Sequence, residues 1–498
     1  MKKFHTPPWA LCLFLILLFL FFLVFFYQIH PIVLLDSDDW TYISYSRAAL
    51  PTTKFFNPCR IFPEIFMSLC GSIAAYVIYP LTGQYMRAQS FVMALAYSSF
   101  ITWYIAEVIR FLQRKFRTGL TGLLSTAVIF VIFHFMVFRT ENSGNTYLFW
   151  SKDATCFFYY NIPILMNCIL SMRILSEDVP GLRTESGSFR KALFILLVYF
   201  SILSNLYASI ITAGAVASFL LVRLCRTVKK HDRFSAFLKG NAVPLLIEFF
   251  WLVSALLELS GDRAEAAYSG NSALKNTIFN LGPAFSFFKE SVLSMNRIML
   301  AFIAFVLILS GVIYASRKGL RLFLKDLIPL FLSFAVISFL LVVLSAASVP
   351  SYAGLSTNLL APFFFIFLAA VCCMSAVLQT CRPAASVMPL LAVILFSLTN
   401  TSMNTFIECN DSQISAETCI EIGEYLVSQY KEAAAAGLDS FELHVLDCGG
   451  GDNWPHASYL PERLTNTMLK HGIIGRRMDV TLCADHSVNE EFNITCWD

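Results

Sequence analysis

The sequence predicts a mainly α, polytopic transmembrane helical bundle of about 11 spans, with a large first external loop and a small C-terminal α/β extracytoplasmic domain. Composition is the first reason. The 498 residues are 57% hydrophobic and only 14% charged, far from the roughly 25% charged of a soluble chain, and the mean hydropathy is +0.66. The second is that apolar runs able to cross about 30 Å of hydrocarbon recur from Pro7 to around Asn400, separated by basic clusters. The third is a polar composition from Asn400 onward, so the chain divides into a transmembrane region over 1–399 and an extracytoplasmic domain over 400–498. The net charge of +3 is small and no basic run interleaves with aromatics. That argues against nucleic acid as a partner.

Lys2 and Lys3 precede an apolar run from Trp9 to Tyr27 that is long enough to span, and no small-x-small cleavage site follows in Gln28 to Pro31. It reads as a retained first helix. The positive-inside rule places Lys2-Lys3, Arg110 to Arg117, Arg173 to Lys191, Arg223 to Lys239, Arg317 to Lys325 and Arg382 in the cytoplasm. The spans are then 8–27, 88–110, 119–138, 155–172, 191–205, 207–224, 241–260, 296–315, 326–347, 360–380 and 385–400, with the N-terminus cytoplasmic and the C-terminal domain outside. The apolar run from Ile61 to about Pro80 would put Arg110 to Arg117 on the wrong side if it crossed. It is therefore expected to lie along or dip into the outer interface, within a first external loop from about Gln28 to Arg87. A twelfth span that violates the rule is the alternative.

Periodicity in the tail predicts a helix over about Ala416 to Ala436, a strand over Phe441 to Leu446, a helix over about Pro461 to His471 and a strand over Met478 to Cys483. Five of the 14 cysteines (Cys409, Cys419, Cys448, Cys483 and Cys496) lie there. Outside the cell they are expected to form disulfides, the fifth being free or reaching Cys59. No C-x-x-C pair or His cluster marks a metal site, and none is expected. Asn400, Asn410 and Asn493 each open an N-x-[ST] triplet. The turn Gly449 to Pro455 is no phosphate loop, because no G-K-[ST] follows it.

Function points to Asp36-Ser37-Asp38-Asp39-Trp40, three carboxylates just past the first span. Acids at a bilayer face are costly unless they meet water or a counter-charge, so they suggest a site. The competing reading is that they cap an interfacial helix starting at Trp40. A carboxylate that activates a hydroxyl works with cations that hold a phosphate leaving group. The outer segments offer Arg60 and Glu64 at the head of the interfacial run, Arg139 and Lys152 in the next loop, and Arg263 with Glu265 in the large one. Phe157 to Asn161 form an aromatic mouth to the fourth span, where aromatic belts occur in any case.

A first span followed at once by an acidic external loop, a juxtamembrane helix and about ten further spans resembles the GT-C superfamily of integral-membrane glycosyltransferases. The match covers roughly residues 1–400 through topology and the acidic cluster. The resemblance implies a sugar transferred from a polyprenyl-phosphate donor, at the outer face, to a cell-envelope glycan, lipid or protein acceptor. It implies that Asp38 or Asp39 is the general base, Asp39 being the preferred of the two, with Asp36 supporting and Arg60, Glu64, Arg139, Lys152 and Arg263 as candidates for binding substrate. The partners are then the lipid-linked donor, the acceptor and membrane lipids, and no cofactor is expected. The Trp-Trp-Asp element of oligosaccharyltransferases is missing, which sets peptide glycosylation apart. Asp36-x-Asp38 has D-x-D spacing but lacks further ligands for a cation. A transporter or flippase of lipid-linked sugars is the alternative function. It would call for charged or broken helices near the midplane, whereas Glu107, Glu248 and Glu258 lie towards helix ends. A receptor or assembly protein displaying the tail is a third possibility.

Overall fold

Long apolar runs become helices because only a helix satisfies every backbone group inside its own segment, and Pro283, Pro329 and Pro362 are carried within helices. The structure, a computed structural model, describes residues 8–35, 37–50, 58–116, 118–138, 148–151, 153–180, 187–231, 233–259, 273–316, 319–380, 387, 390–391, 393–394, 415–447 and 458–494. Asp36, Arg139, Lys152, Arg263, Glu265, Asn400, Asn410, Cys409, Cys448, Cys496, Gly449 to Pro455 and most of the expected span 385–400 lie outside the described residues.

The helices, in chain order, are α1 (Trp9–Ile29), α2 (Ser37–Tyr42), α3 (Ile61–Thr82), α4 (Tyr85–Phe116), α5 (Leu120–Met136), α6 (Ala154–Leu175), α7 (Ser188–Ile202) and α8 (Leu206–Lys229). They continue with α9 (Phe234–Gly240), α10 (Ala242–Leu259), α11 (Ala273–Ser294), α12 (Arg297–Ser316), α13 (Leu320–Ala347) and α14 (Ser356–Thr380). Among the described residues, eight are long and apolar enough to cross a membrane, namely α1, α3, α4, α6, α8, α10, α13 and α14. That is compatible with a multi-pass membrane protein, and the described residues do not confirm the expected count of about 11. At 17 and 15 residues, α5 and α7 are shorter than a full crossing, and α11 and α12 meet at an 85° bend.

Close packing and buried polar contacts bind the bundle. A β-carbon at Gly214 of α8 would collide with Ile337 of α13, so only glycine allows this approach. Asn167 of α6 donates to the Ser201 carbonyl of α7 at 2.8 Å and accepts from Thr212 of α8 at 2.7 Å. Trp251 of α10 donates to the Ser209 hydroxyl of α8 at 3.0 Å.

Charged residues gather at one end. Glu107 pairs with Arg110 at 2.6 Å and Arg173 at 3.0 Å, Asp178 with Arg114 and Arg190, and Glu177 with Arg223 at 3.1 Å. Lys115, Arg223, Arg226 and Lys325 line one cleft there. Four of the basic clusters that the sequence assigns to one side thus converge.

The other end carries α2, and α3 packs against it. Gly71, near the middle of α3, is pressed against the backbone oxygen of Ile43 so closely that a β-carbon would clash. Arg60, just before α3, donates to the Tyr42 hydroxyl at 3.0 Å. The middle of α3 thus packs on the turn that follows α2.

Against this end sits a C-terminal unit of α15 (Ala416–Ala435), β1 (Ser440–Leu446), α16 (Leu460–Lys470), β2 (Asp479–Asp485) and α17 (His486–Glu491). The expected helix-strand-helix-strand order is present within a residue or two. β1 and β2 pair in parallel with Leu443 opposite Leu482, as a helical crossover between strands demands. Ile420, Val427 and Tyr430 of α15, Leu443 and Val445 of β1, and Leu464 and Met468 of α16 form its core. Met86 packs on Gly423, Glu424 accepts the Met86 amide at 2.6 Å, and Tyr76 donates to the Lys470 carbonyl, so the unit docks on α3 and the start of α4. No disulfide joins two described cysteines, and Cys483 is a free thiol.

Candidate active site

The acidic cluster folds into a short helix that starts earlier than the sequence suggests, at Ser37 rather than Trp40. Asp39 is therefore its third residue and not its cap. Successive helical side chains are about 100° apart, so Asp38 and Asp39 diverge.

Asp39 turns inward and is fully buried. One carboxylate oxygen accepts the Leu35 amide at 2.8 Å, and the other accepts the Thr155 amide at 2.7 Å and the Thr155 hydroxyl at 2.5 Å. Asp153, which the sequence reading did not single out, caps α6 by accepting the same Thr155 amide at 2.7 Å and the Cys156 amide at 3.3 Å. Val33 pairs with Asp153 in an isolated bridge, and the Ala154 amide donates to the Val33 carbonyl at 3.0 Å. Burial first, then the charge of Asp153, pushes the Asp39 carboxyl well above the usual carboxylate range. Two carboxylates sharing one amide repel each other when both are ionised, which favours the protonated form of Asp39. Buried Asp39 and half-buried Asp153 form a clasp between the first loop and the start of α6.

Asp38 turns outward, its side chain 56% exposed, and pairs with Arg463 of α16. An exposed ion pair of this kind contributes about 0–1 kcal/mol, so an arriving ligand displaces it readily. One turn along the same helix face, Tyr42 accepts a hydrogen bond from Arg60. The Arg60 guanidinium also lies over the rings of Tyr42 and Tyr159, 6.0 and 5.6 Å from their centroids. Tyr42 and Tyr159 touch at 4.8 Å. An exposed carboxylate, held by Arg463, thus lies one helical turn from a guanidinium framed by two aromatic rings. Beyond the end of α2, the Lys470 ammonium donates to the Ser44 carbonyl at 3.3 Å.

Glu64 is buried, held by Arg47 at 2.9 Å and Arg60 at 3.9 Å. It positions the two arginines and presents no open face. The structure therefore brings Asp38, Asp39, Arg60 and Glu64 together, while Asp36, Arg139, Lys152 and Arg263 fall outside the described residues. Tyr42, Arg47, Asp153, Tyr159 and Arg463 are additional members. Asp153 was legible as an N-cap before an apolar run; Arg463, in the tail, carried no local signal.

Buried His471 ties the C-terminal unit to α4, with Nδ1 2.6 Å from the Tyr85 hydroxyl. Burial pushes its imidazole down to about 4, so it is neutral here.

No family model, no curated protein and no solved structure matches this chain.

Proposed function

We propose that the chain is an integral-membrane glycosyltransferase of the GT-C kind, using a polyprenyl-phosphate-linked sugar at the α2 end of the bundle. The observation that carries the reading is the shared face of α2. Asp38 offers an accessible carboxylate within one helical turn of Tyr42, which holds the Arg60 guanidinium. A guanidinium framed by aromatic rings suits a phosphate and the sugar attached to it. In this reading Asp38 takes the proton from the acceptor hydroxyl as its oxygen attacks the anomeric carbon, and Arg60 stabilises the departing lipid phosphate. Asp39 is a structural clasp, not the base.

The topology belongs to the same proposal. The basic end is cytoplasmic, the α2 end with its C-terminal unit is extracytoplasmic, and α3 lies in the outer interface, where a lipid-borne donor presents its head group. Support comes from the convergence of the basic clusters at one end and from the contact of mid-α3 with Ile43.

The test is turnover by purified protein of a radiolabelled polyprenyl-phosphate hexose, read as released lipid phosphate. Asp38→Asn is expected to fold normally and lose at least about a hundredfold in turnover. Arg60→Gln is expected to raise KM for the donor and lower kcat. Full activity in Asp38→Asn would remove this assignment.

A further inference from the structure

The C-terminal sheet carries a constellation unrelated to the α2 face. In the parallel register His444 stands opposite Cys483. Alternation puts Glu442 on the same face of β1 as His444, and Asp485 on the same face of β2 as Cys483. Leu443 and Val445 on the other face of β1 are buried, leaving the four polar side chains grouped together. One donor atom from each of Glu442, His444 and Cys483 lies within 4.8 Å of the other two. His444 Nδ1 bonds Asp485 Oδ2 at 2.8 Å. The other oxygen of Asp485 accepts the Ser487 amide at 2.9 Å and the Ser487 hydroxyl at 2.7 Å. Asp485 is thereby fixed as an acceptor, which makes Nδ1 the protonated nitrogen of His444 and leaves Nε2 with its lone pair. A carboxylate that orients an imidazole in this way is the usual outer support of a metal-bound histidine.

We infer that Glu442, His444 and Cys483 form a three-ligand site for a borderline-soft divalent cation, zinc above all, with Asp485 positioning His444. Sulfur, nitrogen and oxygen donors together suit Zn²⁺, and three protein ligands leave a fourth position for water or a small anion. Tetrahedral zinc with bonds of about 2.1 Å needs donors roughly 3.4 Å apart. The exposed Glu442 side chain closes the remaining gap by rotating about its own bonds. Binding converts the Cys483 thiol to thiolate, and its proton leaves to solvent. Sequence spacing hides the set because strand register, not local order, assembles it.

The experiment uses the full chain in detergent, stripped with a chelator and titrated with Co²⁺ alone and with Zn²⁺ alone. One equivalent of Co²⁺ is expected to give a thiolate-to-metal charge-transfer band. The band is lost in Cys483→Ser and kept in Cys225→Ser, which alters an exposed cysteine on α8. Asp485→Asn is expected to keep the band and weaken Zn²⁺ binding by about 10- to 100-fold. In the unaltered protein, Zn²⁺ slows alkylation of Cys483, mapped by mass spectrometry, by at least about tenfold. This last reading holds even if a variant fails to fold. Absence of the band at one equivalent, its persistence in Cys483→Ser, or alkylation of Cys483 at an unchanged rate overturns the assignment.

Discussion

Replacing Asp153 with Asn should stabilise the protein, although it removes a charge at a helix start. The Asp39 and Asp153 oxygens are each 2.7 Å from the Thr155 nitrogen, hence no more than about 5.4 Å apart, twice 2.7 Å. At about 5 Å and an effective dielectric constant near 20, two unit charges repel by roughly 3 kcal/mol. Asn caps a helix as well as Asp does, so the bonds to the Thr155 and Cys156 amides survive, and its amide can donate to Asp39. The sign with pH follows from the raised pKa of Asp39. The native state binds a proton that the unfolded state has released, so wild-type stability falls as pH rises from the ordinary carboxylate range through the folded pKa. Thermal unfolding in detergent, followed by intrinsic fluorescence, should show Asp153→Asn about 1–3 kcal/mol more stable near pH 8, nearly equal to wild type near pH 4, and flatter between. A variant less stable than wild type near pH 8, or one with the wild-type slope, would refute the clasp.

Other outcomes are as specific. The buried imidazole of His471, pushed down to about 4, contributes stability that is fully present above its unfolded value near 6.5 and lost as pH falls towards 4, roughly 3 kcal/mol in all. Hydrogen exchange over α15 and α16 should accelerate in that window, and His471→Phe, though less stable, should lack the acid-dependent step. Gly214→Ala, which drives a methyl into Ile337, should cost about 1–3 kcal/mol, and adding Ile337→Ala should recover part of it; additive losses in thermal unfolding would argue against this contact. A cysteine introduced at Ser188 should be protected from an impermeant thiol reagent in intact cells and one at Ser458 should react, whereas labelling at Ser188 would invert the topology.

By itself the sequence determined what depends on neighbours along the chain. Apolar runs over α4, α8 and α13 had to be helices because their backbone groups have no other partners in hydrocarbon. The period change after Asn400 specified the order α15, β1, α16 and β2, since amphipathic periodicity is a local property. Tertiary structure decided what depends on distant partners. Whether Asp38 or Asp39 faces solvent follows from where α2 begins, and a shift of one residue rotates a helix by about 100°. The clasp needs Thr155 and Asp153 delivered by α6, more than a hundred residues away, and the Asp38–Arg463 pair needs the C-terminal unit docked on α3. Similarly, Glu442, His444 and Cys483 meet only because β1 and β2 pair in one register, and slipping it by a residue would turn Cys483 to the other face.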